Sequence, residues 1–263
     1  MANITYRFYS NCLNRPTTVK IYLPYDERQM PPEMMAERPE KTKTLFLLHG
    51  YTGDGENWVP EWLCDKYNVA VVCPSGENGF WLDGLSSGHA YAKFLGEELP
   101  RYMQKTFNLA KDKDETFVMG LSMGGFGALH TALKYPEVFG KAAALSSALI
   151  HNEVAKMKEG EGNEVANYEY YRECFGEPSK LAESENNPEF LVKKLKKEGK
   201  EFPQIIMACG TEDFLIENNR AFHKFLVENE VPHTYDESTG IHDMVFWGKC
   251  VERYIPVMFG KEE

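Results

Sequence analysis

Hydrophobic and polar positions alternate near the amino terminus of the chain. Apolar residues occupy every second position over residues 4–8 and again over residues 19–23. A period of two residues is typical of strands with one buried face, because successive side chains point to opposite sides of a strand. The pattern predicts two strands that form an antiparallel hairpin at the edge of a sheet.

From residue 44 onward the apolar residues form continuous runs, separated by segments long enough for helices. The runs cover residues 45–48, 69–72, 117–119, 142–145 and 205–208. Strands that are apolar on both faces belong to a mostly parallel sheet with helices packed on both sides. With a length of 263 residues, the chain is predicted to be a single α/β domain over residues 1–263.

The segment between residues 150 and 202 breaks this succession of strands and helices. It is rich in charged and aromatic residues and carries turn signals at residues 160, 162, 176–178 and 186–188. Clusters of Gly, Pro and Asn interrupt regular structure. We interpret residues 150–202 as a small cap of short helices, inserted into the domain near the carboxyl edge of the sheet.

Composition and charge argue against several classes of binding partner. The formal net charge is −11, so a nucleic-acid backbone would be repelled and no nucleic-acid partner is expected. No apolar run approaches the length of a membrane span and the first residues do not resemble a secretory signal. No membrane partner is therefore expected, and the protein is predicted to be cytoplasmic. The six cysteines show no metal-ligand spacing, which predicts a mechanism with no metal and no cofactor.

The motif Gly-Leu-Ser-Met-Gly at residues 120–124 joins the apolar residues 116–119 to a helix-like stretch over residues 125–135. A serine flanked by glycines on a strand-to-helix turn is the setting of a nucleophile elbow, in which the hydroxyl projects above the carboxyl edge of a sheet. We predict Ser122 as the catalytic nucleophile. The backbone N–H of Met123, at the start of the helix, is predicted to donate to the oxyanion that forms during the reaction.

Candidates for the acid and the base follow downstream. Asp213 lies just after the apolar run 205–208, and His242 lies between a strand-like stretch, residues 234–238, and a last helix that begins near Met244. The order serine, acid, histidine is that of α/β-hydrolases, and the three residues would meet at one edge of the sheet. We predict His242 as the general base and Asp213 as the acid that orients it.

Other carboxylates and histidines of the chain are also candidates for the acid and the base. Glu212 and Asp243 are rivals for the acid, but Glu212 adjoins Asp213 and should point elsewhere. Asp243 adjoins the base and would have to fold back to reach it. Four further histidines are interpreted as structural or loop-shaping: His49, His130, His223 and His233.

The second oxyanion donor should come from the loop after the first central strand, which lies opposite the elbow in this topology. The N–H of Tyr51 is the first choice and the N–H of Thr52 is the second. Aromatic residues that could line an acyl or alcohol pocket are Trp58, Phe80, Trp81, Tyr91 and Trp247. We predict Trp81 and Trp247 as substrate-binding residues, because both lie near the predicted catalytic edge.

Together these motifs resemble those of the esterase D or putative-esterase family of α/β-hydrolases, and most closely its small tributyrin-esterase and feruloyl-esterase-like members. The resemblance rests on residues 47–50, 57–58, 79–81, 97–100, 120–128, 210–214 and 240–242. It implies a carboxylic ester hydrolase with Ser122, Asp213 and His242 as its triad, assembled as a homodimer or homotetramer. Relatives that hydrolyse S-formylglutathione usually carry a histidine where Phe126 stands, so the resemblance disfavours that substrate.

The sequence therefore predicts a serine carboxylesterase that forms an acyl-enzyme and hydrolyses short-chain acyl or hydroxycinnamoyl (feruloyl) esters. Its partner would be a small-molecule ester, for which an acylated sugar is one candidate. One alternative is an acyltransferase that uses a sugar or another alcohol in place of water. The other is a catalytically silent hydrolase fold that serves as a binding module, although such proteins usually lose a member of the triad.

Overall fold

A mixed sheet forms the centre of the protein. The structure is a computed structural model that describes residues 1–24, 33 and 38–260. Within these residues the sheet has eight strands, in the spatial order β1-β2-β4-β3-β5-β6-β7-β8. The strands are β1 (Ala2–Ser10), β2 (Arg15–Leu23), β3 (Lys43–Leu48), β4 (Val69–Pro74), β5 (Thr116–Leu121), β6 (Lys141–Leu145), β7 (Gln204–Gly210) and β8 (His233–Ser238).

Strand directions follow the two hydrophobic patterns. Strands β3 to β8 run parallel to one another, as continuous apolar runs predict. Strands β1 and β2 form an antiparallel hairpin with Ile4 opposite Ile21, and β2 pairs antiparallel with β4. The predicted edge hairpin and mostly parallel sheet are confirmed.

Helices cover both faces of the sheet. They are α1 (Glu61–Tyr67), α2 (Tyr91–Lys93), α3 (Leu99–Phe107), α4 (Met123–Lys134), α5 (His151–Val154), α6 (Tyr168–Phe175), α7 (Pro188–Glu198), α8 (Ile216–Glu228) and α9 (Met244–Phe259). In β3, Phe46 packs into one buried apolar cluster with Leu129 of α4, whereas Leu45 packs into another with Val251 of α9. The predicted layering is confirmed. Within the described residues, no helix is long and apolar enough to cross a membrane.

The chain between β6 and β7 forms the short helices α5, α6 and α7, with a 3-10 turn at Pro178–Glu183. The side chain of Asn167 caps the start of α6 by accepting the N–H of Tyr170, and the side chain of Asn187 caps α7. Asn at the cap and Pro188 in the first turn are strong helix-start signals. The turn residues of this segment thus mark helix boundaries.

A buried carboxylate holds the turn of the β1–β2 hairpin. Glu98 belongs to the π-helical turn Phe94–Glu98 that joins α2 and α3, and it is 3% exposed. One carboxylate oxygen accepts the Ser10 hydroxyl at 2.5 Å and the other accepts the Asn11 N–H at 2.8 Å. A buried carboxylate is tolerated only when it is well hydrogen-bonded. The hairpin turn and the helix therefore hold each other in place.

Candidate active site

Ser122 lies on the sharp turn between β5 and α4. Its backbone has φ 54° and ψ −119°, a region that residues other than glycine rarely adopt unless the surroundings hold them there. The Ser122 N–H donates to the Leu145 carbonyl at 2.8 Å, and the Ser122 carbonyl accepts the N–H of Ala148 at 3.0 Å. Both peptide groups of the serine are thus fixed by the end of the neighbouring strand β6.

Two glycines allow the turn to be this tight. A Cβ atom on Gly120 would lie 2.1 Å from the carbonyl oxygen of Gly124, and a Cβ atom on Gly124 would lie 2.3 Å from the carbonyl oxygen of Leu48. Both distances are far inside van der Waals contact with backbone atoms that cannot move aside. The strand, turn and helix around Ser122 therefore have the geometry that the motif indicates.

Ser122 and His242 line the same cavity, which has a volume of about 520 Å³. Apolar side chains form much of its wall: Tyr51, Phe80, Met123, Ala148, Ile150, Val165, Tyr171, Phe214 and Leu215. Asn163 and Glu164, from the segment before α6, add polar groups to the wall. An apolar cleft with a few convergent polar groups is the usual form of a small-molecule site.

His242 is hydrogen-bonded to a buried carboxylate. The distance from His242 Nδ1 to Asp213 Oδ2 is 2.8 Å, and the side chain of Asp213 is fully buried while that of His242 is 18% exposed. An ionised carboxylate can only accept, so Nδ1 carries the proton and Nε2 is left to take a further proton. The imidazole is thus held in the tautomer that a general base requires.

Hydrogen bonds keep the Asp213 carboxyl ionised. Burial by itself raises its pKa, but hydrogen bonds from His242, from the Leu215 N–H and from Ser146 lower the pKa below its ordinary value. The Leu215 N–H lies 2.9 Å from Asp213 Oδ1. Asp213 therefore carries a negative charge in the neutral range and can stabilise a protonated His242.

The rival acids have other partners. The carboxylate of Glu212 accepts the Gly240 N–H at 2.7 Å, and this contact lowers its pKa. The carboxylate of Asp243 accepts the Phe246 N–H at 2.9 Å and so caps the start of α9. The structure thus brings Asp213 to His242 and gives the other two carboxylates roles in holding loops and helix.

Ser146 and Trp247 contact the pair formed by His242 and Asp213. The indole Nε1 of Trp247 donates to Ser146 Oγ at 3.0 Å, and the indole packs edge-on against the His242 ring at 4.9 Å. Ser146 is fully buried and contributes a hydrogen bond to Asp213. Ser146 was not among the residues predicted from the sequence, although its place directly after strand β6 at the catalytic edge was a usable signal.

The substrate-binding prediction for the two tryptophans needs correction. Trp247 is 7% exposed and fills the space behind His242, and Trp81 is 0% exposed. The Trp81 indole N–H donates to the carbonyl of His49 at 3.3 Å. Both large rings are therefore packed beneath the site, and neither is among the residues that line the cavity.

An exposed aromatic residue lies where the buried tryptophans were expected to act. Phe214 is 74% exposed, lines the cavity and places its ring 4.5 Å from the ring of His242. Among the sequence predictions, Phe214 appeared only as part of the motif that carries Asp213. Its position directly after the acid was the signal, because a residue next to Asp213 on the same loop must lie close to His242.

The two predicted oxyanion donors, Met123 and Tyr51, both belong to residues that line the cavity. Met123 is the first residue of α4, so its N–H has no acceptor within the helix and lies at the positive end of the helix dipole. Tyr51 lines the cavity from the opposite loop. The N–H of Thr52, the second choice, donates to Asn78 Oδ1 at 2.8 Å and is therefore engaged elsewhere.

His49 shapes the loop that carries Tyr51. Its Nδ1 lies 2.7 Å from the Gly50 carbonyl and its Nε2 accepts the Gly76 N–H at 2.9 Å. Burial lowers the pKa of His49, which favours the neutral ring that this pattern of one donor and one acceptor requires. The loop-shaping role expected of His49 agrees with these contacts.

The remaining histidines that were weighed lie outside this cluster. His130 is fully buried, with Nε2 at 2.9 Å from the Glu185 carbonyl. His223 and His233 contact each other, with 2.7 Å between Nδ1 and Nε2. Among the residues that the structure describes, no group of three or more His, Cys, Asp or Glu side chains is placed to hold a metal ion.

The sheet topology, the serine elbow and the histidine–carboxylate pair in one cleft define a serine hydrolase of the α/β-hydrolase fold. Residues 10–252 match the model of the family described as putative esterase. The chain belongs to this family, which confirms the resemblance drawn from its motifs, and the protein is a carboxylic ester hydrolase.

Individual relatives agree with this class. The chain is 39% identical over 262 residues to an acetyl esterase from Caldicellulosiruptor saccharolyticus, covering 95% of this chain and 96% of that protein. Its fold is similar to that of the fluorophosphonate-binding serine hydrolase F of Staphylococcus aureus, with a TM-score of 0.83, 26% identity and 99% of both chains covered. It is also similar to an S-formylglutathione hydrolase of Staphylococcus aureus, with a TM-score of 0.80, 25% identity and 98% and 99% of the two chains covered.

Proposed function

We propose that the protein is a serine carboxylesterase that removes short acyl groups from small-molecule esters through an acyl-enzyme on Ser122. The observation that carries the proposal is the 2.8 Å contact between His242 Nδ1 and the buried Asp213 carboxylate, in the same cavity as the elbow serine. A nucleophile, a base and the group that orients the base are the components of a catalytic triad.

In the proposed reaction His242 Nε2 takes the proton of the Ser122 hydroxyl as Oγ attacks the ester carbonyl carbon. The N–H groups of Met123 and Tyr51 hold the negative charge on the carbonyl oxygen in the tetrahedral intermediate. His242 then gives its proton to the leaving alcohol, and the acyl group stays on Ser122. Water, deprotonated by His242, attacks this acyl-enzyme in the second half of the reaction and releases the acid.

The shape of the cleft supports a small acyl group. Phe80 is 3% exposed and lies at the cavity wall, with the rings of Phe126 and Phe175 at 5.8 Å and 4.8 Å behind it. Aromatic packing of this kind makes Phe80 a firmly held part of the cavity wall. Its volume of about 520 Å³ must hold both the acyl and the alcohol part of an ester. The acetyl esterase relative is in keeping with this preference.

We propose that residues 150–202 act as the cap of this cleft. Ile150, Val165 and Tyr171 from this segment contribute apolar wall, and Asn163 and Glu164 contribute polar wall. A longer acyl chain would need a continuous apolar channel, and the polar residues at this side of the cleft interrupt such a surface.

Acyl-chain preference is expected to peak at acetyl to butyryl or at a compact hydroxycinnamoyl group. The physical reasons are the packed aromatic wall at Phe80 and the polar residues Asn163 and Glu164, which interrupt the apolar surface that a long chain needs. The measurement is kcat/KM across p-nitrophenyl acetate, butyrate, octanoate and palmitate, with methyl ferulate in parallel. A maximum at octanoate or beyond would show that the cleft is deeper than its walls indicate.

The same set of substrates should include S-formylglutathione, because one protein of similar structure to this chain is a hydrolase of that thioester. Phe126, the residue that argued against this substrate, is fully buried and packs against Phe80 of the cavity wall. Weak turnover of the thioester relative to p-nitrophenyl acetate is expected. Preferred turnover of the thioester would move the proposed substrate class from oxygen esters to thioesters.

A serine-directed fluorophosphonate is expected to abolish activity, and EDTA is expected to leave it unchanged. Both results follow from a covalent serine mechanism that uses no metal ion. Mass spectrometry of the inhibited protein should place the adduct on Ser122. An adduct on another residue, or activity that is lost on chelation and restored by zinc, would contradict the mechanism.

A further inference from the structure

Asn78 contacts two elements on either side of the cleft. Its side-chain oxygen accepts the N–H of Thr52 at 2.8 Å. Its backbone carbonyl accepts the hydroxyl of Tyr170 and lies 3.6 Å from the thiol sulfur of Cys174, both on α6. One residue therefore joins the oxyanion loop, defined as residues 49–52, to helix α6 of the proposed cap.

Asn78 belongs to a bracing loop, residues 76–81, whose backbone is under strain. Glu77, Phe80 and Trp81 have φ values of 47°, 51° and 59°. Such conformations persist only where surrounding contacts fix them. Gly76 supplies one contact by donating to His49 Nε2, and Trp81 supplies another by donating to the His49 carbonyl. The bracing loop is thus shaped around the oxyanion loop.

Helix α6 holds the bracing loop from the other side. The ring of Tyr170 packs edge-on against Tyr51 at 6.0 Å and against Phe80 at 6.5 Å. Burial raises the pKa of the Tyr170 hydroxyl, so the hydroxyl stays protonated and donates to Asn78. Cap, bracing loop and oxyanion loop therefore form a continuous chain of contacts.

We infer that Asn78 is a positioning residue that holds the Tyr51 N–H in the oxyanion hole and couples this N–H to the placement of helix α6. The inference rests on the proposed function. The two oxyanion donors differ in how they are fixed. Met123 begins a helix and is set by the elbow, whereas Tyr51 lies on a loop and depends on its neighbour Thr52. Asn78 is not among the residues that line the cavity. Its effect on the Tyr51 N–H therefore passes through Thr52.

Replacing Asn78 by alanine is expected to lower kcat about tenfold, less than the loss of a whole oxyanion donor, with little change in KM. An oxyanion forms only after attack, so a misplaced donor affects the transition state and not ester binding. Thr52 and Asn78 are exposed, so water can replace the lost acceptor and the melting temperature should hardly change.

Asn186→Ala is the matched control. The Asn186 amide donates to the Phe175 carbonyl at 3.2 Å, so this variant removes an ordered amide from the same cap without touching the oxyanion loop. Its kcat should stay near that of the wild type. An equal loss of kcat in both variants would assign the effect to general loosening of the cap and overturn the inference.

A transition-state mimic separates positioning from a structural role. A trifluoromethyl ketone adds to the serine and places its oxygen in the oxyanion hole. Its inhibition constant should rise in Asn78→Ala by the same factor by which kcat/KM falls, while the KM for p-nitrophenyl acetate stays constant. An unchanged inhibition constant would contradict the role of Asn78.

Tyr170→Phe tests the contact between helix α6 and the bracing loop. The variant keeps the ring against Tyr51 and Phe80 but removes the donor to the Asn78 carbonyl, and kcat should fall about threefold. In the Asn78→Ala background the same change should have almost no further effect, because the connection to Thr52 is already broken. Losses that multiply in the double variant would show that the two residues act independently.

Hydrogen exchange tests the link without reference to activity. The amides of residues 51–53 should exchange faster in Asn78→Ala than in the wild type or in Asn186→Ala, since their anchor is lost. Unchanged exchange would overturn the inference even in a fully active enzyme. A wild type that hydrolyses no ester would instead refute the proposed function, and the exchange data would still decide whether Asn78 holds the loop.

Discussion

Ser122→Ala is expected to lower kcat for ester hydrolysis by roughly 10^4 to 10^6, the range seen when the nucleophile of a triad is removed. Without the hydroxyl no acyl-enzyme forms, and the two N–H donors have no tetrahedral oxyanion to stabilise. The fold should survive, because alanine keeps the Cβ atom and the backbone contacts to Leu145 and Ala148 are made by main-chain atoms. The measurement is kcat with p-nitrophenyl acetate, together with the thermal unfolding curve.

Ser147→Ala provides the control for that experiment. Ser147 lies at the same edge of the sheet, and its buried Oγ has no hydrogen-bond partner in the described part of the chain. Activity near the wild-type level is expected in this variant. The nucleophile assignment fails if Ser122→Ala stays within about a hundredfold of wild type, since loss of a triad nucleophile costs far more.

Asp213→Asn is expected to lower kcat by about 10^4, as the corresponding change does in other triads. The amide cannot both hold the Nδ1 proton and balance the charge of a protonated His242. Glu212→Gln and Asp243→Asn should cost much less activity, because their carboxylates accept backbone N–H groups of Gly240 and Phe246. The comparison uses kcat of the three variants with one ester.

Thermal unfolding distinguishes the three carboxylates further. Asp243→Asn should keep most of the helix cap, since asparagine is also a good capping residue, whereas Asp243→Ala should cost about 1 kcal/mol of stability. A larger loss of kcat in Glu212→Gln or Asp243→Asn than in Asp213→Asn would move the acid of the triad to that residue.

Sequence reasoning succeeded for features that depend on chain order. The runs of apolar residues mark strands because a strand buried on both faces cannot tolerate polar side chains. Ser122 and Asp213 follow two such strands and His242 follows the edge strand β8, and because parallel strands end at one edge, their placement at that edge follows from topology. The glycines of the elbow likewise predict a close approach, which the 2.1 Å and 2.3 Å separations of the added Cβ atoms explain.

Sequence reasoning was less successful where side-chain direction decides the outcome. Trp81 and Trp247 stand at the expected places in the chain, yet both turn inward and support the site from beneath. Phe214, next to the acid, turns outward and reaches the cleft. No hydrophobic period distinguishes these cases, because loop residues have no fixed face. No hydrophobic period indicates the hydrogen bond of Ser146 to Asp213 or that of Thr52 to Asn78 either, because each joins segments that are distant in the sequence.

The hydrogen bonds between Glu98 and the turn of the β1–β2 hairpin affect the order in which the chain folds during synthesis. The hairpin of β1 and β2 is synthesised before its packing partners: the carboxylate that satisfies its turn follows 88 residues after Ser10, and β2 pairs with β4, which lies beyond β3 in the sequence. Contacts this distant in sequence form late, because loop closure precedes them. We therefore expect the β1–β2 hairpin to dock only after β4 and the turn that carries Glu98 have been synthesised, and its two strands to remain open to nascent-chain chaperones until then.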